Sequence, residues 1–235
     1  MTRLILPNAD FSGSYVAAEP ASSIVGLDLW AYLNTSLAAS PNRVNSSVLT
    51  ETGAVDFQPG FAAITPTTNY LAPTGLLDVV NQTFMFVART DQVGGNFSPI
   101  ISAYAGGVGL MIAVGWTYLR VHATGLGTIG NYTLSSTFGN EWSFWSVVLE
   151  EDAATPVQVK NWTHNETATG GTASGNRGSL GQQLTIGGHS IATFGTFGGD
   201  VAFVGRAKSI LTDPQIESCY NSVRLALPSF GIVGV

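Results

Sequence analysis

The stretch Gly199-Asp200-Val201-Ala202-Phe203-Val204-Gly205-Arg206-Ala207, followed by Leu211-Thr212-Asp213-Pro214-Gln215-Ile216-Glu217, decides the fold class of this chain. The first part is rich in β-branched and aromatic residues, as a β-strand is. The second part begins a helix, because Thr212 can cap it, Gln215 completes a capping box and Pro214 occupies the first turn. Apolar residues then recur at helical spacing. The pattern predicts a strand followed by one short C-terminal helix.

Further strands are predicted upstream. Residues 142–149 place large side chains on both faces, which indicates a central strand covered on each side. Residues 157–162 alternate as an outer strand does. Residues 27–33 and 61–64 are predicted strands, and residues 40–52 are predicted to form a loop.

Glycine-rich and asparagine-rich turns separate these strands at short intervals, which favours an all-β sandwich over βαβ units. The chain contains no fixed repeat, linker or low-complexity tract. We therefore expect one sandwich domain over residues 21–228, preceded by an arm over residues 1–20. Residues 229–235 form a tail that is too apolar to extend into water, so we expect it to pack on the body or on a neighbouring subunit.

Five segments, in this order, resemble the concanavalin A-like, laminin-G-like jelly roll: residues 82–89, 141–148, 184–188, 199–201 and 211–216. The resemblance implies an antiparallel two-sheet jelly-roll sandwich with one short C-terminal helix. The chain departs from the family pattern at two places. Residues 205–208 replace a usual aromatic residue, and the long loop 163–181 replaces a tight hairpin turn.

The opening residues 1–12 are similar to the start of small tailed-bacteriophage structural proteins that carry this sandwich. The resemblance implies a virion protein of the tail, fibre or baseplate, attached through its N-terminal arm. Other virion subunits are the implied partners, in a homo-oligomer. Because residues 1–7 hold too few apolar residues for a signal-peptide core, we expect synthesis in the host cytoplasm.

The charge content is low, with 10% charged residues and a formal net charge of −6. The basic residues are scattered and form no stripe that would neutralise phosphates, so we expect no nucleic-acid binding and no membrane insertion. A surface so poor in charge favours a subunit of an assembly or an extracellular module. A monomer with a neutral polar surface is the alternative. The single cysteine, Cys219, is predicted to be a small buried apolar residue.

Carbohydrate binding requires aromatic rings beside amide and hydroxyl groups. One loop combines Trp162, His164 and Asn165, and a second stretch contains Trp116 and Tyr118. These five residues are the predicted ligand-binding residues. In the alternative interpretation the tryptophans pack in the core or anchor a protein interface.

Calcium is an option for this fold class, bound by loop oxygens. The predicted ligands are Asp91, Asn96 and Asp200. No cofactor other than calcium is expected.

Catalysis is not expected. The jelly-roll glucanases that retain configuration carry two glutamates and an aspartate in a Glu-x-Asp-x-x-Glu pattern on one strand, and this chain lacks that pattern. The nearest acidic cluster, residues 150–152, is interpreted as a solvated turn. Three hypotheses follow: a non-catalytic virion protein that binds host-surface glycan or protein, a purely structural decoration or connecting subunit of the virion, and a glycan-degrading enzyme, which the carboxylate spacing disfavours.

Overall fold

The structure, a computed structural model, describes residues 24–45, 47–65, 68–90, 97–105, 108–123, 130–134, 140–151, 155–170, 178–188 and 198–235. The expected N-terminal arm, residues 1–20, lies outside this range.

The described chain forms two antiparallel sheets and one α-helix. The strands are β1 (Leu27–Tyr32), β2 (Leu49–Thr52), β3 (Asp56–Gln58), β4 (Phe61–Ile64), β5 (Tyr70–Pro73), β6 (Gln82–Arg89), β7 (Phe97–Ala105), β8 (Val108–Gly115), β9 (Tyr118–His122), β10 (Gly130–Thr133), β11 (Ser143–Leu149), β12 (Val157–Asn161), β13 (Glu166–Thr167), β14 (Thr169–Gly170), β15 (Thr185–Ile186) and β16 (Gly199–Ala207). The helix α1 (Asp213–Ala226) precedes a 3-10 turn, Leu227–Phe230.

Sheet A has the strand order β13-β12-β11-β6-β16-β4-β3, and β1 also pairs with β16. Sheet B has the order β14-β10-β9-β8-β7-β15-β5-β2. This arrangement confirms the predicted all-β fold of two antiparallel sheets with a C-terminal helix.

Strand β16 organises sheet A. On one side it pairs with β6, and on the other side it pairs first with β4, through residues 199–201, and then with β1, through residues 203–207. The register shifts between Val201 and Phe203, as at a β-bulge. Ala202 and Phe203 consequently both belong to the apolar cluster under α1.

The main core lies between the sheets, and a second core lies between sheet A and α1. Because side chains alternate along a strand, β6 sends Phe84 and Phe86 into the main core, and Met85 and Val87 into the second. The predicted central strand β11 is buried at every position. Sheet A is therefore the middle of three layers.

Helix α1 begins as predicted. The Thr212 N–H donates to Gln215 Oε1 over 2.9 Å, as in a capping box. Leu211 and Ile216 are both buried in the second core. The helix ends at Ala226, and among the described residues no helix is long and apolar enough to cross a membrane.

Two loop predictions were wrong in part. Residues 49–52 form β2 at the edge of sheet B, where three of its four side chains are exposed and give no apolar signal. Within residues 163–181, β13 pairs with β12 of sheet A and β14 pairs with β10 of sheet B. The β10–β14 pairing is long-range, whereas β12 and β13 form a local hairpin of two residue pairs, too short to give an alternating pattern.

The C-terminal segment packs on the body. Ile232 is buried in the second core, whereas Val233 is exposed. Gly60, at φ +89°, lies against the Phe230 carbonyl oxygen so closely that a Cβ at this position would clash. The turn between β3 and β4 therefore depends on glycine to contact this segment.

Cys219 is expected to be inert in the folded protein. Burial raises the pKa of its thiol to about 12, and the thiolate is the reactive form. A thiol reagent at pH 8 is expected to label it only after unfolding in guanidinium, and labelling at the same rate in native buffer would contradict the burial. Because its folded pKa is raised, the stability linked to this thiol is present below the ordinary thiol pKa and is lost as the pH rises toward 12.

Candidate functional site

A polar cleft opens on the outer face of sheet A. Its volume is about 460 Å³, and its described lining includes Ala63, Thr65, Arg89, Asn140, Gly198 and Asp200. Arg89 follows Val87 by two positions on β6 and therefore points outward, away from the main core. Asp200 lies directly opposite Arg89 in the strand register. We call this site the cleft.

Arg89 is the organising side chain of the cleft. Its Nε donates to Asp200 Oδ2 over 2.8 Å. The guanidinium carbon lies 4.5 Å from the ring centre of Trp142 and 5.3 Å from that of Phe61, distances typical of cation–π contacts. Its two terminal nitrogens make no hydrogen bond to the described residues. A planar donor edge therefore remains available to a ligand.

The backbone beside Arg89 is held by hydroxyl groups. Ser98 donates to the Gly198 carbonyl over 2.6 Å and shares a 2.8 Å hydrogen bond with Thr90. A Cβ on Gly199 would lie 2.9 Å from Ser98 Cβ, so glycine lets the two backbones approach. These contacts position the start of β16, and with it Asp200.

A second depression, which we call the groove, lies between α1 and the turn after β12. Its volume is about 330 Å³, and its described lining is Lys160, Trp162, Asn165, Asp213, Pro214, Glu217 and Tyr220. The groove brings together the predicted ligand-binding residues Trp162 and Asn165. Asn165 has φ 50°, a left-handed conformation that asparagine tolerates well.

Trp162 does not present an open ring to solvent. It is 8% exposed, and its Nε1 donates to Ser146 Oγ over 2.8 Å. The Lys160 ammonium lies 3.7 Å from its ring centre and 3.6 Å from Asp213 Oδ2. The Trp162 ring is therefore packed, as in the alternative interpretation.

His164 lies between the groove and the cleft. Its Nε2 is 3.7 Å from Glu141 Oε2, and Glu141 is flanked in sequence by Asn140 and Trp142 of the cleft. The His164 N–H donates to Asn161 Oδ1 over 3.2 Å. The turn is thus held close to the segment that forms one wall of the cleft.

Trp116 and Tyr118 lie in sheet B and are not brought to the groove. Trp116 is half-buried in the turn between β8 and β9, and Tyr118 begins β9. Tyr118 packs against an outer cluster that includes Tyr104 and Met111. Burial raises the pKa of the Tyr118 hydroxyl. The five predicted ligand-binding residues therefore divide into two places in the fold.

Two of the three predicted calcium ligands, Asp91 and Asn96, lie outside the described residues, so the calcium site stays a prediction. One oxygen of Asp200 already binds the cationic Arg89, a neighbour that disfavours a second cation. Within the described part of the chain, no three His, Cys, Asp or Glu side chains cluster as metal ligands.

Two residues that line the cleft, Arg89 and Asn140, were missed by the sequence analysis, and so was the contact of Trp142 with Arg89. Arg89 and Asp200 are separated by 111 residues and meet only through the pairing of β6 with β16. One signal was present: Arg89 ends an apolar strand in a chain with few charges. Placing a charged side chain there costs free energy unless it is paired with an opposite charge or contacts a ligand.

Comparison with protein-family models gives no match, and comparison with curated proteins gives none either. Solved structures match in fold. The chain is similar to the receptor binding domain of botulinum neurotoxin C/D mosaic serotype, with a TM-score of 0.61 and 10% identity over 85% of this chain and 52% of that chain.

Two further structures give similar values. The botulinum neurotoxin type G receptor binding domain has a TM-score of 0.61 at 9% identity, over 83% of this chain and 51% of that chain. The third structure is of botulinum neurotoxin type C, whose cell entry is described as dependent upon interaction with two ganglioside molecules. Its TM-score is 0.61 at 12% identity, over 84% of this chain and 51% of that chain. The chain spans about half the length of the solved structures it matches. The likeness shows a shared β-sandwich fold.

Proposed function

We propose that this chain is a non-catalytic glycan-binding sandwich whose binding site is the cleft beside Arg89 and Asp200. The observation that carries the proposal is the Arg89 guanidinium, which is held by a carboxylate and two aromatic rings while its terminal nitrogens make no hydrogen bond to the described residues. Sugar hydroxyls both donate and accept hydrogen bonds. The cleft can meet both needs, because Arg89 donates and Asp200 accepts.

The shape and the lining of the cleft support this proposal. A volume of about 460 Å³ lies within the usual range of small-ligand pockets. Asn140 adds an exposed amide to the lining, and Trp142 packs against Arg89 beside the cleft. Hydrolysis by paired carboxylates would need a second acid. Asp200 is the one carboxylate in the described lining of the cleft, which supports binding without catalysis.

The structural neighbours add support of a general kind. Two of those compared are receptor-binding domains of toxins, and the third is of a toxin whose cell entry depends on interaction with two gangliosides, which are glycolipids. The shared fold is therefore one that presents binding surfaces. Which residues bind a ligand must still be argued from this chain's own side chains.

The first test is binding to a glycan array, followed by calorimetry with the strongest ligand. Asp200→Asn and Asn140→Ala are each expected to weaken affinity about tenfold, since each removes a hydrogen bond from the ligand. Asp56→Asn on β3 is the matched control, because Asp56 is an exposed carboxylate in the same sheet and is absent from the described lining of the cleft. Absence of glycan binding, or equal loss in all three variants, would overturn the proposal.

We further propose that the protein is located in a bacteriophage virion, on the tail, fibre or baseplate, where the sandwich contacts host-surface glycan. Its support is the resemblance of residues 1–12 to small tailed-phage proteins. Antibody labelling of intact particles tests this location. Label at the host-facing tip is the expected result, and particles without label would contradict it.

A structural role in the virion, in a homo-oligomer or with other subunits, is the second candidate. It is favoured by exposed apolar side chains in a chain with few charges: Val25, Val48, Leu225 and Val233. Apolar surface of this kind is covered in many assemblies. Loss of particle assembly on deletion of residues 1–12, without any glycan binding by the intact chain, would favour this role.

A further inference from the structure

We infer that the ligand is an oligosaccharide that extends from the cleft across His164 into the groove. This inference rests on the proposed function, because the cleft holds the first sugar. It adds a second binding region on the same face and a length requirement for the ligand.

The cleft and the groove lie on one face of sheet A. Arg89 and Trp142 point to the outer face, where α1 packs, and Lys160 and Trp162 point to it from β12 and the turn that follows. Trp162 lies opposite Phe144 in the ladder, with its N–H donating to the Phe144 carbonyl over 2.9 Å. Phe144 follows Trp142 by two positions.

The spacing suits a ligand of several sugars. Trp142 is two residues from Phe144 along the chain, and Trp162 lies opposite Phe144, just after the neighbouring strand β12. The backbones of Trp142 and Trp162 are therefore about 8 Å apart. The cleft and the groove extend away from these two residues in opposite directions, since one is lined from β6 and β16 and the other from α1. A single sugar in the cleft is too short to contact both.

The surface between the two regions is polar. His164 Nε2 is buried without a hydrogen-bond partner and lies 3.7 Å from Glu141 Oε2, longer than a hydrogen bond. The Glu141 carboxylate is 70% exposed. A sugar hydroxyl above this region can donate to the exposed Glu141 carboxylate.

The groove provides polar edges and no open aromatic platform. Asn165, Asp213 and Glu217 are exposed, whereas the Trp162 ring is covered by Lys160. These exposed groups offer a monosaccharide in the groove only a few hydrogen bonds, which do not offset the cost of association. An oligosaccharide already bound in the cleft gains affinity from these hydrogen bonds, because the entropy cost of association arises only once for the whole ligand.

The experiment compares affinity with ligand length by calorimetry on the full chain. The probes are linear homo-oligosaccharides of glucose, galactose, mannose and N-acetylglucosamine, each from one to six residues. We expect affinity for the best series to rise about tenfold between the monosaccharide and the tetrasaccharide, which corresponds to one or two added hydrogen bonds.

Variants in the groove test whether the groove is the source of this rise in affinity. Glu217→Ala and Asn165→Gly are expected to remove most of the tenfold gain while leaving monosaccharide affinity within about twofold. Both side chains are exposed, and glycine suits the left-handed backbone at Asn165, so folding is preserved. Ser218→Ala is the matched control, since Ser218 is exposed on the same helix and is absent from the described lining of the groove.

Each outcome decides a different claim. Monosaccharide binding with no dependence on length, or a gain that the groove variants do not change, would overturn this inference and leave the proposed function standing. The absence of binding to any probe or array glycan would overturn the proposed function itself.

Discussion

Replacing Arg206 by alanine is expected to lower the free energy of unfolding by about 3–5 kcal/mol, because it removes a fully buried side chain and leaves the buried Asp28 carboxylate with only the half-exposed Lys208 as a charged partner. The Arg206 side chain is fully buried. Its Nη2 lies 2.9 Å from Asp28 Oδ2, and its Nη1 donates to the Leu77 carbonyl over 2.8 Å. The pair joins β16 to β1, and the second bond ties β16 to the segment before β6. Urea denaturation followed by tryptophan fluorescence measures the loss.

Lys208→Ala is the control for this prediction. Lys208 Nζ also approaches Asp28 Oδ2, at 3.2 Å, but its side chain is 48% exposed. Water screens such a pair, so we expect a loss below about 1 kcal/mol. Equal losses in the two variants would show that burial of the guanidinium is not what makes Arg206 important.

A joint replacement refines the first prediction. Arg206→Met combined with Asp28→Leu removes both charges and keeps much of the volume. Buried ion pairs often contribute little beyond an apolar pair of similar size, so the double variant is expected to be more stable than Arg206→Ala. A double variant less stable than Arg206→Ala would mean that the ion pair specifies the register of β1 on β16.

Replacing Phe203 by alanine is the second large effect, with an expected loss of about 3–5 kcal/mol from burial and cavity formation. The ring is fully buried. Its centre lies 4.7 Å from that of Trp30, 5.2 Å from Tyr32 and 6.2 Å from Phe144. These aromatic contacts lie within sheet A, on the face that packs against α1, so hydrogen exchange in α1 should accelerate with the loss of global stability.

Phe230→Ala is the matched control for Phe203. Phe230 stacks on Tyr32 at 5.5 Å from the same cluster but is only half-buried. Its removal exposes less apolar surface, so we expect less than half the loss of Phe203→Ala. A larger loss at Phe230 would indicate that the C-terminal segment, and not the bulge in β16, holds the second core together.

Local patterns were sufficient where an element carries its own signal. The capping box at Thr212 and Gln215 and the two-sided apolar strand 142–149 were both predicted and both confirmed. Burial on both faces of β11 appears in the sequence as large side chains at successive positions. Strands β2 and β14 lack such a signal, because their partners lie far along the chain, and β13 lacks it because its two residues are too few to alternate.

The residues 205–208 illustrate the difference for a single side chain. The sequence shows that an arginine stands where the family usually has an aromatic residue. The structure shows that this Arg206 is buried against Asp28, which is 178 residues away. Composition cannot identify that partner, since the register of β1 on β16 places the two side chains together.

The sequence by itself determined an all-β sandwich closed by one capped helix, because alternation, turn residues and capping are properties of neighbouring positions. Only the tertiary structure decided where the cleft lies, that Trp162 is covered by Lys160, and that Arg89 meets Asp200. Those contacts depend on strand order and register, which are set by the packing of two sheets and a helix and not by any short stretch of the chain.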